Sequence, residues 1–170
     1  MAESAELPGG LSSQGGAAEL LVKKLTALSK TAALAESCTA GLAADLIARV
    51  PGASNALWGS FVSYTVDAKV KMLGLEKAAV EKYGPVSRET ACAMAEGALD
   101  KSGVDLAAAI TGLAGPGGDG TAVPVGTVWI ATTVRGGETR AQVFHYRDSR
   151  SGVRNAAAAR AVEALLDRLS

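Results

Sequence analysis

The chain has 170 residues, 48% of them apolar, which suits one domain able to bury a proper core. Its 17 Lys and Arg balance 17 Asp and Glu, and two Trp, three Tyr and two Phe leave little to stack on bases, so no nucleic-acid partner is expected. No apolar stretch approaches bilayer length, so no membrane partner is expected, and one His with two Cys at no metal-ligand spacing points to no metal and no cofactor.

Residues 1–16 are small, polar and Gly-rich and read as a disordered leader, leaving 17–170 as a single domain. The leader carries two Glu and no Lys or Arg, so it is no secretory signal. Cys38 and Cys92 read as free thiols of a reducing cytoplasm. A helix is predicted over 17–30, with Leu21, Leu25 and Leu28 on one face. Thr31–Ala35 is a short apolar run, as a buried strand would be. Glu36, Ser37, Cys38 and Thr39 interrupt it. Leu42, Ala43, Leu46, Ile47 and Val50 then follow at helical spacing until Pro51 and Gly52 stop the helix.

Trp58–Thr65 has strand composition, with Val62 and Tyr64 on one face. Short helices are predicted over 66–73 and 76–83, the second ended by Gly84-Pro85. Ser87 caps a longer helix whose inner face is Ala91, Met94, Ala95 and Ala98, closed by Gly103. Asp105–Thr111 is an apolar strand of central type. A glycine-rich loop, Gly112–Gly120, leads to a strand over 125–134. Gly136-Gly137 turns this strand into an antiparallel partner over 138–146. A last helix covers 149–169, with Val153, Ala157, Leu165 and Leu169 inward. Strands and helices that alternate early and pair late predict an α/β fold. The expected form is a three-layer α/β/α sandwich on a mixed, mainly parallel five-stranded sheet ending in an antiparallel hairpin.

Two stretches carry chemistry. Ser37 sits between a strand and a helix, where ligands bind in open α/β sheets and where a helix N-terminus favours an anion or a developing oxyanion. Taken alone, the position reads first as an N-cap, and so does Thr39, because capping hydroxyls far outnumber nucleophiles. The loop glycines 112, 115, 117, 118 and 120 allow backbone N–H groups close to a phosphate, although neither a P-loop nor a dinucleotide fingerprint is present. Thr111 points a hydroxyl to the same edge. Lys69, five residues after Tyr64, is a base if desolvated and otherwise a solvated helix residue beside Lys71. Arg147, Arg150 and Arg154 gather at the start of the last helix, either around an anion or as a solvated face. His145 on a strand reads as structural, and Cys38 as a small buried hydrophobe.

The stretches AESCTAGL, VSYTVDAK, TGLAGPGGDG with PVGTVW, and RDSRSGVR resemble, in order and spacing, the C-terminal domain of the CinA (competence/damage-inducible) proteins. That domain also occurs alone as nicotinamide-nucleotide amidase. The resemblance covers residue 17 to the end, and the nucleotide-hydrolase-like domain that usually precedes it is not expected here. It implies hydrolysis of nicotinamide mononucleotide to nicotinate mononucleotide and ammonia. The alternative is a non-catalytic nucleotide-binding or adaptor module of competence or DNA-damage responses.

By position the resemblance implies Ser37 as nucleophile, with Tyr64 and Lys69 activating it. Thr39, Thr111, Gly112, Ala114, Gly115, Gly117, Gly118, Arg150 and Arg154 are then the substrate and phosphate-binding set. It also implies a homo-oligomer, for which the Ala-rich run at 156–164 is a candidate contact. Two residues depart from the family pattern: Ala40 stands where a glycine is usual, and Val123 where a lysine is common.

Overall fold

The computed structural model describes the backbone of residues 11–170 and side chains from residue 16. The expected leader therefore lies outside the described residues up to position 10. From there on it is helical, because helix α1 (Leu11–Ala27) begins six residues ahead of Ala17. Ala18, Leu21, Val22 and Leu25 of α1 are buried. Leu28 is 52% exposed, contrary to its expected inward place, because the helix has already ended at Ala27.

Five strands follow: β1 (Ala32–Glu36), β2 (Leu57–Val62), β3 (Leu106–Gly112), β4 (Thr127–Val134) and β5 (Arg140–His145). They form one sheet in the order β2-β1-β3-β4-β5. β1 pairs parallel with both β2 and β3, whereas β4 runs antiparallel to β3 and to β5. Four strands thus point one way and β4 alone is reversed. This is the mixed, mainly parallel sheet with a terminal hairpin that the pattern predicts.

The helices are α2 (Leu42–Ala48), α3 (Val66–Leu73), α4 (Lys77–Tyr83), α5 (Arg88–Ser102) and α6 (Arg150–Asp167). Thr65, Ser87 and Ser149 accept bonds from backbone N–H groups in the first turns of α3, α5 and α6. Each hydroxyl satisfies a donor that the helix leaves open.

Side chains alternate across a strand, so parity decides which layer each residue meets. Ala32, Leu34, Leu106, Ala108, Ile110, Val128 and Ile130 share a core with α1, α2 and α6. Ala33, Ala35, Ala107, Ala109 and Ala131 face α3, α4 and α5. That second face is almost all alanine, and α5 meets it with Ala91, Ala95 and Ala98, so the helix lies close to the sheet. Even-numbered residues of β1 and β3 therefore face α2 and α6, and odd-numbered ones face α3 and α5.

Candidate active site

The same parity continues past the strand ends. Ser37 follows β1 and its N–H bonds to Ile110 O at 2.9 Å, extending the parallel ladder by one residue. As an odd-numbered position it faces α3. Thr111 on β3 faces the same layer and donates to Pro85 O at 2.7 Å, just ahead of α5. Both lie at the carboxyl edge of the parallel strands, where open α/β sheets bind ligands.

Lys69 of α3 comes to Ser37 from that side. Its Nζ lies 2.9 Å from Ser37 Oγ and 3.0 Å from Ser63 O, with Tyr64 O at 3.5 Å. The side chain is 1% exposed and has no carboxylate partner among the described residues. Burial without a counter-charge disfavours the ammonium and lowers the Lys69 pKa from 10.5 to about 8. Roughly one Lys69 in ten is then a free amine at pH 7, against about one in three thousand for an ordinary lysine. Of the two readings left open for Lys69, the structure gives the desolvated one.

The neighbouring Cys38 goes the other way, its thiol pushed up to about 11 chiefly by burial. It is 5% exposed and packs in the core with α2 and α6, so it is an inert thiol rather than a rival nucleophile.

The turn from Ser37 to Gly41 is tight, with Ala40 at φ +48° and Gly41 at φ +99°. Helix α2 has no capping side chain at its N-cap, Gly41. Its leading N–H groups are taken by Glu36 instead, whose carboxylate accepts from Gly41, Ala43 and Ala44. The expectation that this helix end is open to an anion is thereby corrected, because a buried carboxylate already occupies it. Of the turn's own N–H groups, those of Cys38 and Thr39 make no bond to another of the described residues.

Arg154 bonds the carbonyls of the same two residues, Nε to Cys38 O at 2.9 Å and Nη2 to Thr39 O at 3.1 Å. Thr39 is fully buried, and its Oγ1 has no partner. It therefore does not serve as the cap.

A cleft of about 340 Å³ opens over these groups, lined by Ser37, Tyr64, Lys69, Thr111, Gly112, Ala114 and Arg150 among others. That volume is at the small end of ligand pockets. Seven of the expected site residues thus meet in one cavity. Gly115, Gly117, Gly118, Thr39 and Arg154 do not line it.

The glycines of the loop play different parts. A Cβ on Gly112 would meet Val128 Cγ2 at 2.7 Å and Thr127 O at 2.9 Å, so this glycine serves strand packing. Gly117 and Gly118 face open space. Gly115 presents its carbonyl to Arg150 Nη1 at 2.7 Å.

The second arm of Arg150 bonds Tyr64 Oη at 2.9 Å. Tyr64 is 52% exposed, and its ring stands at the rim with its hydroxyl on Arg150. Only its backbone carbonyl approaches Ser37 and Lys69. Val123 is not among the lining residues, and His145 bonds Thr127 Oγ1 on the β4–β5 hairpin, away from the cleft.

Sequence reasoning did not single out Glu36, Ser63 or Asp119. Asp119 lines the cleft from the glycine loop. The signal available for Glu36 was a charged residue ending an otherwise apolar strand.

A three-layer α/β/α domain with a serine–lysine pair at the carboxyl edge of its sheet is the class that this fold and site define. The chain belongs to the family described as the CinA C-terminal domain, whose profile matches residues 15–169. It is 49% identical over 136 residues to a CinA-like protein of Akkermansia muciniphila, covering 80% of this chain and 33% of that protein. To a CinA-like protein of Geobacter metallireducens it is 44% identical over 139 residues, covering 82% and 33%. The chain thus spans about a third of the length of these relatives.

A crystal structure of the competence/damage inducible protein CihA from Agrobacterium tumefaciens superposes with a TM-score of 0.88 at 38% identity, covering 96% of this chain and 98% of that one. A CinA superfamily structure from Escherichia coli gives 0.88 at 30% identity, covering 99% and 96%. Among the described residues no helix is long and apolar enough to cross a membrane.

Proposed function

We propose that the domain hydrolyses the carboxamide of nicotinamide mononucleotide to nicotinate mononucleotide and ammonia. The observation that carries this reading is the contact of Lys69 Nζ with Ser37 Oγ at 2.9 Å, both side chains being buried at the floor of the cleft. The family's association with this amidase activity supplies the substrate.

In this mechanism Lys69 as free amine takes the Ser37 proton while Oγ attacks the carboxamide carbon. The N–H groups of Cys38 and Thr39 receive the oxyanion. Lys69 then returns its proton to the leaving nitrogen as the C–N bond breaks, releasing ammonia and leaving an ester on Ser37. Water, deprotonated by the same amine, cleaves the ester and restores the hydroxyl. Arg150, at the open end of the cleft, takes the nucleotide phosphate. Tyr64 orients Arg150 and offers its ring face beside it.

The test is ammonia release from nicotinamide mononucleotide by wild type and by Ser37→Ala. Release that is lost in the variant is the expected outcome. Near-normal turnover by Ser37→Ala overturns the mechanism. A folded wild type that releases no ammonia, yet melts at higher temperature with the nucleotide, leaves the binding-module reading in its place.

A further inference from the structure

We propose that Glu36 is the positioning residue of the nucleophile, holding Ser37 Oγ in register with Lys69; the proposal rests on Ser37 being the reacting hydroxyl. Glu36 is fully buried at the end of β1, one residue ahead of Ser37. Its side chain points to the α2 layer, as its even-numbered place requires. Oε2 accepts from Gly41 N at 2.9 Å and Ala43 N at 3.1 Å, and Oε1 from Ala44 N at 3.0 Å and Ser60 Oγ at 3.0 Å. Four donors converge on two oxygens, the acceptor set that an ionised carboxyl offers.

A buried carboxylate with no cationic side chain bonded to it is costly unless its bonds are complete. Here they are supplied by the open end of a helix and by a hydroxyl from β2. A Ser, Thr or Asp at the N-cap would satisfy that helix end as well. This chain has Gly41 there and uses a residue from the strand instead.

The consequence is geometric. The four residues from Ser37 to Ala40 connect strand to helix, and Glu36 fastens both ends of that connection. Its carbonyl accepts from Ser63 N at 2.9 Å on the strand side, and its carboxylate grips Gly41, Ala43 and Ala44 on the helix side. Ser63 also offers the carbonyl that holds Lys69 Nζ. One residue therefore links the strand that carries the nucleophile, the helix after it and the segment that seats the base. Loss of the carboxylate lets the turn relax, and Oγ leaves its 2.9 Å contact.

The variant is Glu36→Gln, which keeps size but replaces one acceptor oxygen by a donor that cannot receive a helix N–H. Two readouts are needed: steady-state ammonia release from nicotinamide mononucleotide, and the rate at which phenylmethanesulfonyl fluoride labels Ser37, followed by mass. That label forms an Oγ–S bond with loss of fluoride and needs no nucleotide.

The expected result, well below the melting temperature, is a kcat at least tenfold lower with KM within twofold, and labelling slowed to the same degree. Labelling and kcat at wild-type rates, with only a lower melting temperature, overturn the proposal and leave Glu36 as a folding residue. If Glu36→Gln does not fold, Ser60→Ala decides. It removes one of the two bonds to Oε1 and keeps the three N–H bonds, so labelling should slow two- to fivefold, and an unchanged rate overturns the proposal. A wild type that is labelled at Ser37 but releases no ammonia refutes the nucleotide reading alone, because the labelling ratio still tests Glu36. A wild type that neither labels nor turns over refutes both.

Discussion

Lys69 Nζ and Ser37 Oγ stand 2.9 Å apart across 32 residues of sequence, with the amine 1% exposed. The pairing follows from parity, because Ser37 is the next odd-numbered residue after Ala33 and Ala35 and so faces the helix layer to which α3 belongs. Only the free amine accepts the serine proton. With the Lys69 pKa at about 8, kcat/KM for ammonia release should climb from pH 6 and level off above pH 9, with its midpoint near 8. A profile flat across that range would remove Lys69 from the role of base.

Stability should carry the same signature. In the unfolded chain Lys69 keeps its proton up to 10.5, whereas the folded state sheds it near 8. The unfolded state binds more protons between those values, so this group makes stability rise with pH there. Cys38, raised from 9.0 to about 11, has the opposite sign over its own window. The Lys69 share is therefore read as the difference between wild type and Lys69→Met in urea melts at pH 7 and pH 10, and wild type should gain stability relative to the variant at high pH.

Lys69→Met should also separate chemistry from folding. Ammonia release is expected to fall by about 10²–10⁴-fold with the base gone. The shift in pKa corresponds to roughly 3 kcal/mol against burying the ammonium, so a buried methionine should leave stability at pH 7 equal to wild type or higher. Thermal melting of the purified variant checks the second half, and a large drop in melting temperature would contradict it.

Tyr64 and Arg150 should act on binding rather than on chemistry. Tyr64 Oη is bonded to Arg150 at the rim and makes no bond to Ser37 or Lys69. Tyr64→Phe is expected to raise KM for nicotinamide mononucleotide a few-fold with kcat within about twofold, and Arg150→Gln to raise KM about tenfold or more, on the scale of a lost charge-assisted bond. A hundredfold loss of kcat in Tyr64→Phe would instead make its hydroxyl a proton carrier.

Ala40 sits at φ +48°, a left-handed conformation that disfavours a side chain. Ala40→Gly should stabilise the domain by about 1 kcal/mol in urea denaturation, since relief of that strain outweighs glycine's larger entropy loss.

Gly97 shows the opposite case. A Cβ there would run into the backbone carbonyl of Leu73, at the end of the helix that carries Lys69. Gly97→Ala should cost about 1–3 kcal/mol. It should also lower kcat, because α3 must move away from α5. Chemical denaturation and ammonia release on one sample test both effects.

The layers of the fold were legible because period-2 and helical patterns are written into short windows of sequence. Ser37 and Thr111 were legible for the same reason, as hydroxyls placed where apolar strands end. Lys69 was not decidable locally. Its neighbours Asp67 and Lys71 are exposed and pair with each other, so the local sequence reads as a wet helix face. Only the packing of α3 against β2 and α5, which carries Lys69 to Ser37 beyond the end of β1, makes position 69 dry. Glu36 was missed because a charge at a strand end reads as the point where burial stops, whereas here an adjacent helix terminus supplies its donors. The glycine loop reads in sequence as backbone free to approach a ligand, yet Gly112 is constrained by Val128 across the sheet. Tyr64 lies in the expected segment, but β2 stops at Val62, and the chain then turns the ring outward.

The cleft takes its parts from distant stretches of the domain. Glu36, Ser37 and Lys69 all come from the first half of the chain, whereas Arg150 and Arg154 come from α6 and secure Gly115, Tyr64 and the carbonyls of Cys38 and Thr39. During translation Ser37 and Lys69 therefore emerge well before the arginines that hold the turn and close the far end of the cavity. A nascent domain still lacking α6 has its serine and lysine but no finished seat for a ligand. Arrival of that helix sets the moment at which the cleft becomes whole.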